Sequence, residues 1–400
     1  MNHSFDVAVI GIGMMGSAAA RYLSAQGLRV LAIGPEEPAD WQSHTGVFAS
    51  HYDQGRITRI SDPDPIWAQL AARSLAVYGE IELNSDVRFH HPVGHLRVSP
   101  DGVAPGDSLR RAAENAQQYG ADYSLCSSSE LAHAFPFLDF PAGAMGLWER
   151  GGAGFINPRA LVRAQLTIAA QQGALIKRGT VTALARQEDG IALVTGSGDR
   201  YTVPRALVAA GGYTNHLLRD PLDLRPKAVS VVLAQLDERE VARLQGMPSL
   251  IWRLADHPVL ASIYAAPPTL YPDGATYLKI GGTLKEPVYM YTPEAFRNWF
   301  HADGNPVETD ALREVLLALL PGLRVSRWQT KPCVVTYTAH DYPYIDEIDA
   351  GIYVAAGGCG ASAKSSNEIG RLAAELVATG YWRDNIDRAL FRSQPAAGAG

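Results

Sequence analysis

The chain has 400 residues, 47% of them hydrophobic and 19% charged, with 35 Lys and Arg against 41 Asp and Glu and a net charge of −6. That length exceeds one ordinary core and points to two domains, while the acidic balance excludes a general attraction to nucleic acid or anionic lipid. No apolar run reaches membrane-spanning length, the N-terminus enters a strand without a basic leader, and Cys126, Cys333 and Cys359 have neither metal-ligand nor disulfide-framework spacing, so we expect a cytoplasmic protein without a metal site.

The first strand reads Val7-Ala8-Val9-Ile10, and Gly11, Gly13 and Gly16 then open a helix ahead of a second apolar strand at 28–33. Strand, glycine turn, helix and strand is the order of a dinucleotide-binding unit. Gly11 allows the tight turn, Gly13 lets backbone approach a pyrophosphate, and Gly16 lets helix pack on strand. The N–H groups that begin the helix, at Met14 and Met15, face the phosphates. The acid that usually closes the second strand on a ribose would fall at Gly34. Glu36 or Glu37 could replace it, or both are solvated loop charges.

Residues 35–55 are polar and irregular and lead through Ser50-His51 to Arg56 and Arg59. Two arginines three apart are either anion ligands or a helix-face pair after a solvated turn. Helical periodicity covers 66–81. From 87 to 148 short strands and one polar helix, 108–119, read as an excursion into a second domain. A helix at 159–172 follows, then strands at 175–176, 180–184, 191–195 and 206–209, the last running into Gly211-Gly212.

Strands at 227–236, 250–253, 259–264, 277–281 and 288–290 form a broad sheet, with Pro267, Pro268, Pro272 and Gly274 in its loops. Helices follow at 293–300 and 310–320. The chain then returns to its first theme with strands at 331–337 and 352–356, a glycine-rich loop at 357–364 and a closing helix at 369–378. Such a loop between strand and helix presents N–H groups to an anion or a polarised ring.

This order of landmarks resembles the amino-acid-oxidase (DAO) superfamily of FAD-dependent enzymes, most closely the monomeric sarcosine oxidase and N-methyltryptophan oxidase group. The resemblance runs from residue 5 to about 379. It is carried by the N-terminal glycines, Ser50-His51 with Arg56 and Arg59, the strand into Gly211-Gly212, Tyr264 with Lys279-Ile280-Gly281, the Cys333 segment, and Gly358, Gly360 and Ala361 before Lys364. It implies an α/β fold of two domains: a discontinuous Rossmann-like FAD-binding domain (1–86, 150–220, 326–390) and a substrate-binding domain on a large mixed sheet (87–149, 221–325). Residues 391–400 are expected to form a flexible tail.

The resemblance also implies site roles. Gly11, Gly13 and Gly16 hold the pyrophosphate, Val181 lies near the adenine, and Cys333 falls where the family joins sulfur to the flavin; a buried free cysteine is the alternative. Arg59 and Lys364 match the pair that grips a substrate carboxylate, Lys279 the lysine that activates dioxygen, and Arg56 a further cation near the flavin. Tyr264 is a wall or lid. Two positions depart from the family: Val335 stands for a tyrosine and Thr283 for a histidine, which puts sarcosine itself in doubt. Arg253 either meets a second carboxylate or lies on a solvent face.

The expected activity is oxidation of the C–N bond of a small, N-substituted amino acid, sarcosine-like or iminodiacetate-like, by a monomer that reduces O2 to hydrogen peroxide. Alternatives are a primary or cyclic amino-acid oxidase or dehydrogenase, a nicotinamide-dependent dehydrogenase, and a flavoprotein that has lost turnover.

Overall fold

A computed structural model describes residues 4–100 and 107–396. Two sheets organise it. The first has six strands. Tyr344–Asp349 lies at one edge, followed by Ile352–Ala356, Ala206–Val208, Val7–Ile10, Val30–Gly34 and Leu175–Arg178. All neighbours pair in parallel except the edge strand Tyr344–Asp349. The central strands are buried on both faces, which is why their sequences are unbroken apolar runs rather than alternating ones. Helices Met14–Ala25, Pro158–Gln171 and Ser366–Thr379 pack around the first core, with Leu23, Leu166, Ile369 and Leu372 among its side chains.

The second sheet has eight strands in mixed order. Its longest member, Leu224–Leu236, pairs antiparallel with Arg327–Thr338 along nearly its full length and with Thr276–Leu284 on its other side. Beyond these come Leu260–Leu270, Ser249–Arg253, His95–Ser99, Met145–Glu149 and Tyr123–Cys126. Strand alternation divides this sheet's residues cleanly. Val232, Ala234, Leu278 and Ile280 join Leu312, Val315 and Leu316 of helix Pro306–Leu319 in a core on one face. Val229, Val231, Leu233 and Cys333 lie on the opposite face. That second face looks toward the first sheet, and the site lies between them.

Several local expectations change. The single helix at 66–81 is two, Pro65–Ala76 and Tyr78–Ser85, broken at Val77. Pro267 and Pro268 lie inside strand Leu260–Leu270, at a register shift between Ala266 and Thr269 where the ladder is already interrupted, so their missing N–H groups cost little. Residues 288–290 make only an isolated bridge, Lys227 to Tyr289. At the C-terminus, Phe391 is fully buried and the Ala396 N–H donates to Pro221 O at 2.9 Å, which pins most of the segment expected to be a flexible tail; residues 397–400 lie outside the described residues. Among the described residues, no helix is long and apolar enough to cross a membrane, and no group of three or more His, Cys, Asp or Glu is placed to hold a metal.

Candidate active site

A cavity of about 770 Å³ runs between the two sheets, from Ile33, Gly34 and Val181 at one end to Arg59, Thr283 and Lys364 at the other. Its dinucleotide end is built by the first turn. Gly11 has φ +92°, and a Cβ there would collide with the backbone of Ala209 and Ala210, so no other residue suits the position. Gly13 begins helix Met14–Ala25 without any side-chain cap, leaving the first-turn N–H groups for a ligand. Gly16 does not line the cavity; it lets the helix sit against Gly11 and the Ala209 side chain.

Gly34 cannot be replaced by an acid, because a side chain there would strike Ile12. Nor is Glu37 available: its carboxylate accepts from Arg159 at 2.5 and 2.6 Å, while Glu36 is exposed. Met14, Met15, Ser50, His51, Gly211, Gly212, Gly358, Gly360 and Ala361 line the same cavity. Burial, reinforced by Arg159 and Arg178, depresses the His51 imidazole to about 3, so it is neutral. The open turn, the uncapped helix start, the second glycine loop and the extended shape together fit FAD, a long dinucleotide with a pyrophosphate at its middle.

Arg56 and Arg59 do not form a helix-face pair. Residues Arg56–Thr58 are a strand paired with Gly154–Ile156, and in extended chain two positions three apart point to opposite sides. Arg56 therefore reaches Asp53, Ser50 O at 2.9 Å and the Cys333 sulfur at 3.3 Å. Arg59 reaches the other way, to Asp62 at 2.9 Å.

These two aspartates were not singled out in the sequence, yet each organises half of the site. Asp53 accepts from Lys279 Nζ at 2.6 Å and from Tyr271 OH at 3.0 Å, and Lys279 also donates to Gly55 O at 2.6 Å. Lys279 is thus held just behind the cavity wall, and burial and Arg56 lower its ammonium to about 8 against the pull of Asp53. Asp62 Oδ2 lies 2.9 Å from Arg59 and 3.1 Å from Lys364 Nζ, so guanidinium and ammonium converge on one oxygen. Lys364 is likewise lowered to about 8, chiefly by burial, with Asp62 opposing and Arg59 and Arg97 assisting. A signal existed for both: Asp53 with Arg56 and Arg59 with Asp62 are opposite charges three apart.

Tyr264, Thr283 and Val335 line the cavity near these cations. The Tyr264 ring lies over Gly281 on the neighbouring strand, where any Cβ would collide with it. Arg253 does not line the cavity. It extends from the sheet to Asp107 at 3.2 Å and Ser99 Oγ at 3.3 Å, nearly half exposed, so the expected role in meeting a second carboxylate does not agree with its placement. Lys227 and Arg297 do line it, and neither was anticipated.

Cys333 is buried on the cavity wall, opposite Val229 and beside Arg56. The sulfur stands on the wall of the cavity that FAD would fill. If it forms the link, acid precipitation is expected to leave yellow colour in the pellet, and Cys333→Ala to release it to the supernatant. Colour in the supernatant for the unaltered protein would remove that role.

The DAO family model, described as FAD dependent oxidoreductase, matches residues 6–376. Monomeric sarcosine oxidase of Streptomyces avermitilis is 28% identical over 392 residues, covering 95% of each chain. N-methyl-L-tryptophan oxidase of Salmonella arizonae is 27% identical over 217 residues, covering 53% of this chain and 55% of that one. In fold, the chain is similar to NikD, an amino acid oxidase of nikkomycin biosynthesis (TM-score 0.79, 20% identity, 99% and 98% of the two chains), and to L-proline dehydrogenase of P. horikoshii (TM-score 0.76, 18% identity, 98% and 97%). The nicotinamide alternative is overturned, because a family match across nearly the whole chain joins the glycine turn to the late glycine loop and the sheet between them: the chain belongs to the DAO family of FAD-dependent oxidoreductases.

Proposed function

We propose that the protein oxidises the C–N bond of a small, N-substituted amino acid to an imine that hydrolyses, with dioxygen as acceptor and hydrogen peroxide as product. The observation that carries this reading is that Arg59 and Lys364, both on the wall of the dinucleotide cavity, are drawn together by the Asp62 carboxylate. Two cations meeting there can grip a carboxylate and fix the adjacent C–N bond in one orientation. FAD, when bound, supplies the two-electron acceptor for that bond.

The chain's own residues bind, orient and exclude water. Arg59 and Lys364 hold the carboxylate; Tyr264, Val335 and Thr283 shape the space for the rest of the substrate. No side-chain base is needed at the reacting carbon, which suits a wall where Val335 and Thr283 replace more polar groups. Lys279, fixed by Asp53 and Gly55, supplies positive charge for a developing oxygen anion. The relatives named monomeric sarcosine oxidase support both the substrate class and a monomer.

Hydrogen peroxide release in the presence of sarcosine, other N-methyl amino acids, iminodiacetate, proline and glycine tests the reading and separates N-substituted from cyclic and primary substrates. Activity confined to neutral amines would refute it. A pH effect follows as well. Methylthioacetate carries a carboxylate and no amine, so its affinity reports the clamp alone. Lys364 is protonated below about 8, and binding is expected to hold to that point and weaken as pH rises through it. A titration of the flavin's visible band with this ligand across pH checks the sign.

A further inference from the structure

Lys227 is the feature that the reading above leaves unused. It stands on strand Leu224–Leu236, directly opposite Val335, and lines the same cavity as Arg59 and Lys364 while remaining only 8% exposed. An ammonium has three donors. One reaches Tyr337 OH at 3.3 Å, with the Tyr337 ring centroid 4.8 Å away, and among the described residues no carboxylate pairs with it. Glu308 is the acid whose charge reaches it, and that carboxylate accepts instead from the Ser230 N–H at 2.9 Å.

Burial lowers the Lys227 ammonium while the more distant charge of Glu308 opposes the change, and a cation so placed on a cavity wall, without a direct ion pair, is stabilised by an anion supplied from outside. Charge in the rest of the cavity points the same way. Asp62 offsets one of the two cations of the carboxylate clamp, leaving one positive charge there for one carboxylate. Nearby, Arg97 faces the field of Asp62, Glu149 and Asp107; Glu149 is itself tied to the N–H groups of Ile60 and Ser61, and Asp107 pairs with Arg253. Lys227 is a further cation without a direct ion pair among the described residues, on a different wall from the clamp; Arg297 also lines the cavity without one, and Asp53 is shared by Arg56 and Lys279. The cross-strand neighbour of Lys227, Val335, is small and apolar and leaves the ammonium open to the cavity.

We propose that Lys227 receives a second acidic group of the substrate, so that the preferred substrate is an N-substituted amino acid bearing two carboxylates, one for the Arg59–Lys364 clamp and one for Lys227. This rests on the carboxylate-amine reading of the site and deepens it.

Two unreactive thioethers separate the claims: methylthioacetate, with one carboxylate, and thiodiacetate, in which the methyl is replaced by a second carboxymethyl group. Each is titrated into the FAD-loaded protein at neutral pH by its effect on the flavin's visible band. Thiodiacetate is expected to bind about tenfold more tightly. Lys227→Met should abolish that preference and leave methylthioacetate within a few-fold, and Lys227→Arg should restore most of it. If methylthioacetate binds and thiodiacetate binds no better, or if the preference survives Lys227→Met, the second-carboxylate proposal is wrong while the clamp stands. A Lys227→Met protein whose ligand-free flavin spectrum changes but whose preference does not would assign Lys227 to the cofactor and overturn the proposal. Should neither thioether bind, the clamp reading and this inference fall together.

Discussion

Replacing Lys279 by Met is expected to slow the return of the flavin's visible band on mixing reduced enzyme with dioxygen by about 10²- to 10³-fold, while anaerobic bleaching by substrate stays within a few-fold. The asymmetry follows from where the ammonium sits. Lys279 is 2% exposed and lies behind the cavity wall, tied to Asp53 and Gly55 O. It touches none of the groups proposed to hold the substrate carboxylate. A fixed positive charge in a dry site stabilises negative charge as it forms on oxygen, at no cost in reorganisation. Because the ammonium titrates near 8, reoxidation should slow as pH rises through that value. Asp53→Asn removes the charge that opposes the lowering, so the slow limb should move to lower pH. Equal losses in both half-reactions for Lys279→Met would contradict the assignment.

Arg59→Met is expected to weaken methylthioacetate binding by about 10²- to 10³-fold, the range for removing one partner of a buried, hydrogen-bonded charge pair. Arg59 is 8% exposed and meets Asp62 on one side and the cavity on the other. Its loss also leaves Asp62 to pair with Lys364 alone, which fully offsets the remaining cation and removes the attraction for a ligand carboxylate. Reduction of the flavin by substrate should suffer in both affinity and limiting rate, because orientation goes with the grip. Unchanged affinity in a folded, FAD-loaded variant would place the carboxylate elsewhere.

Much of this arrangement was legible in the sequence because its physical causes are local. The glycine turn after Val7–Ile10 and the late glycine loop before Ser366–Thr379 announce themselves through residues that only close backbone approach requires. Buried parallel strands show as unbroken apolar runs. The family resemblance then joined distant segments that no periodicity could connect, Arg59 with Lys364 at a substrate carboxylate, and it assigned both Cys333 and Arg56 to the flavin.

What was missed depends on partners distant in sequence or on weak local signals. Strand Tyr344–Asp349 carries Asp346, Glu347 and Asp349 and receives no assignment from the sequence, yet charged residues suit the sheet edge it occupies. Arg56 and Arg59 have helical spacing, and only pairing with Gly154–Ile156 makes the segment extended. A lone Lys227 in a strand reads as a solvent-facing residue until register places it opposite Val335. Arg253 shows the converse: its residue type suited an anion site, and the chain spends it on Asp107.

The carboxylate clamp and the flavin are tested together by anaerobic mixing of the purified, FAD-loaded protein with a carboxylate-bearing secondary amine, with a neutral amine of the same size and with reduced nicotinamide cofactor, following the flavin's visible band. Bleaching is expected with the first and with neither of the other two. Bleaching by the neutral amine at a comparable rate, or by the nicotinamide alone, would contradict this reading of the site.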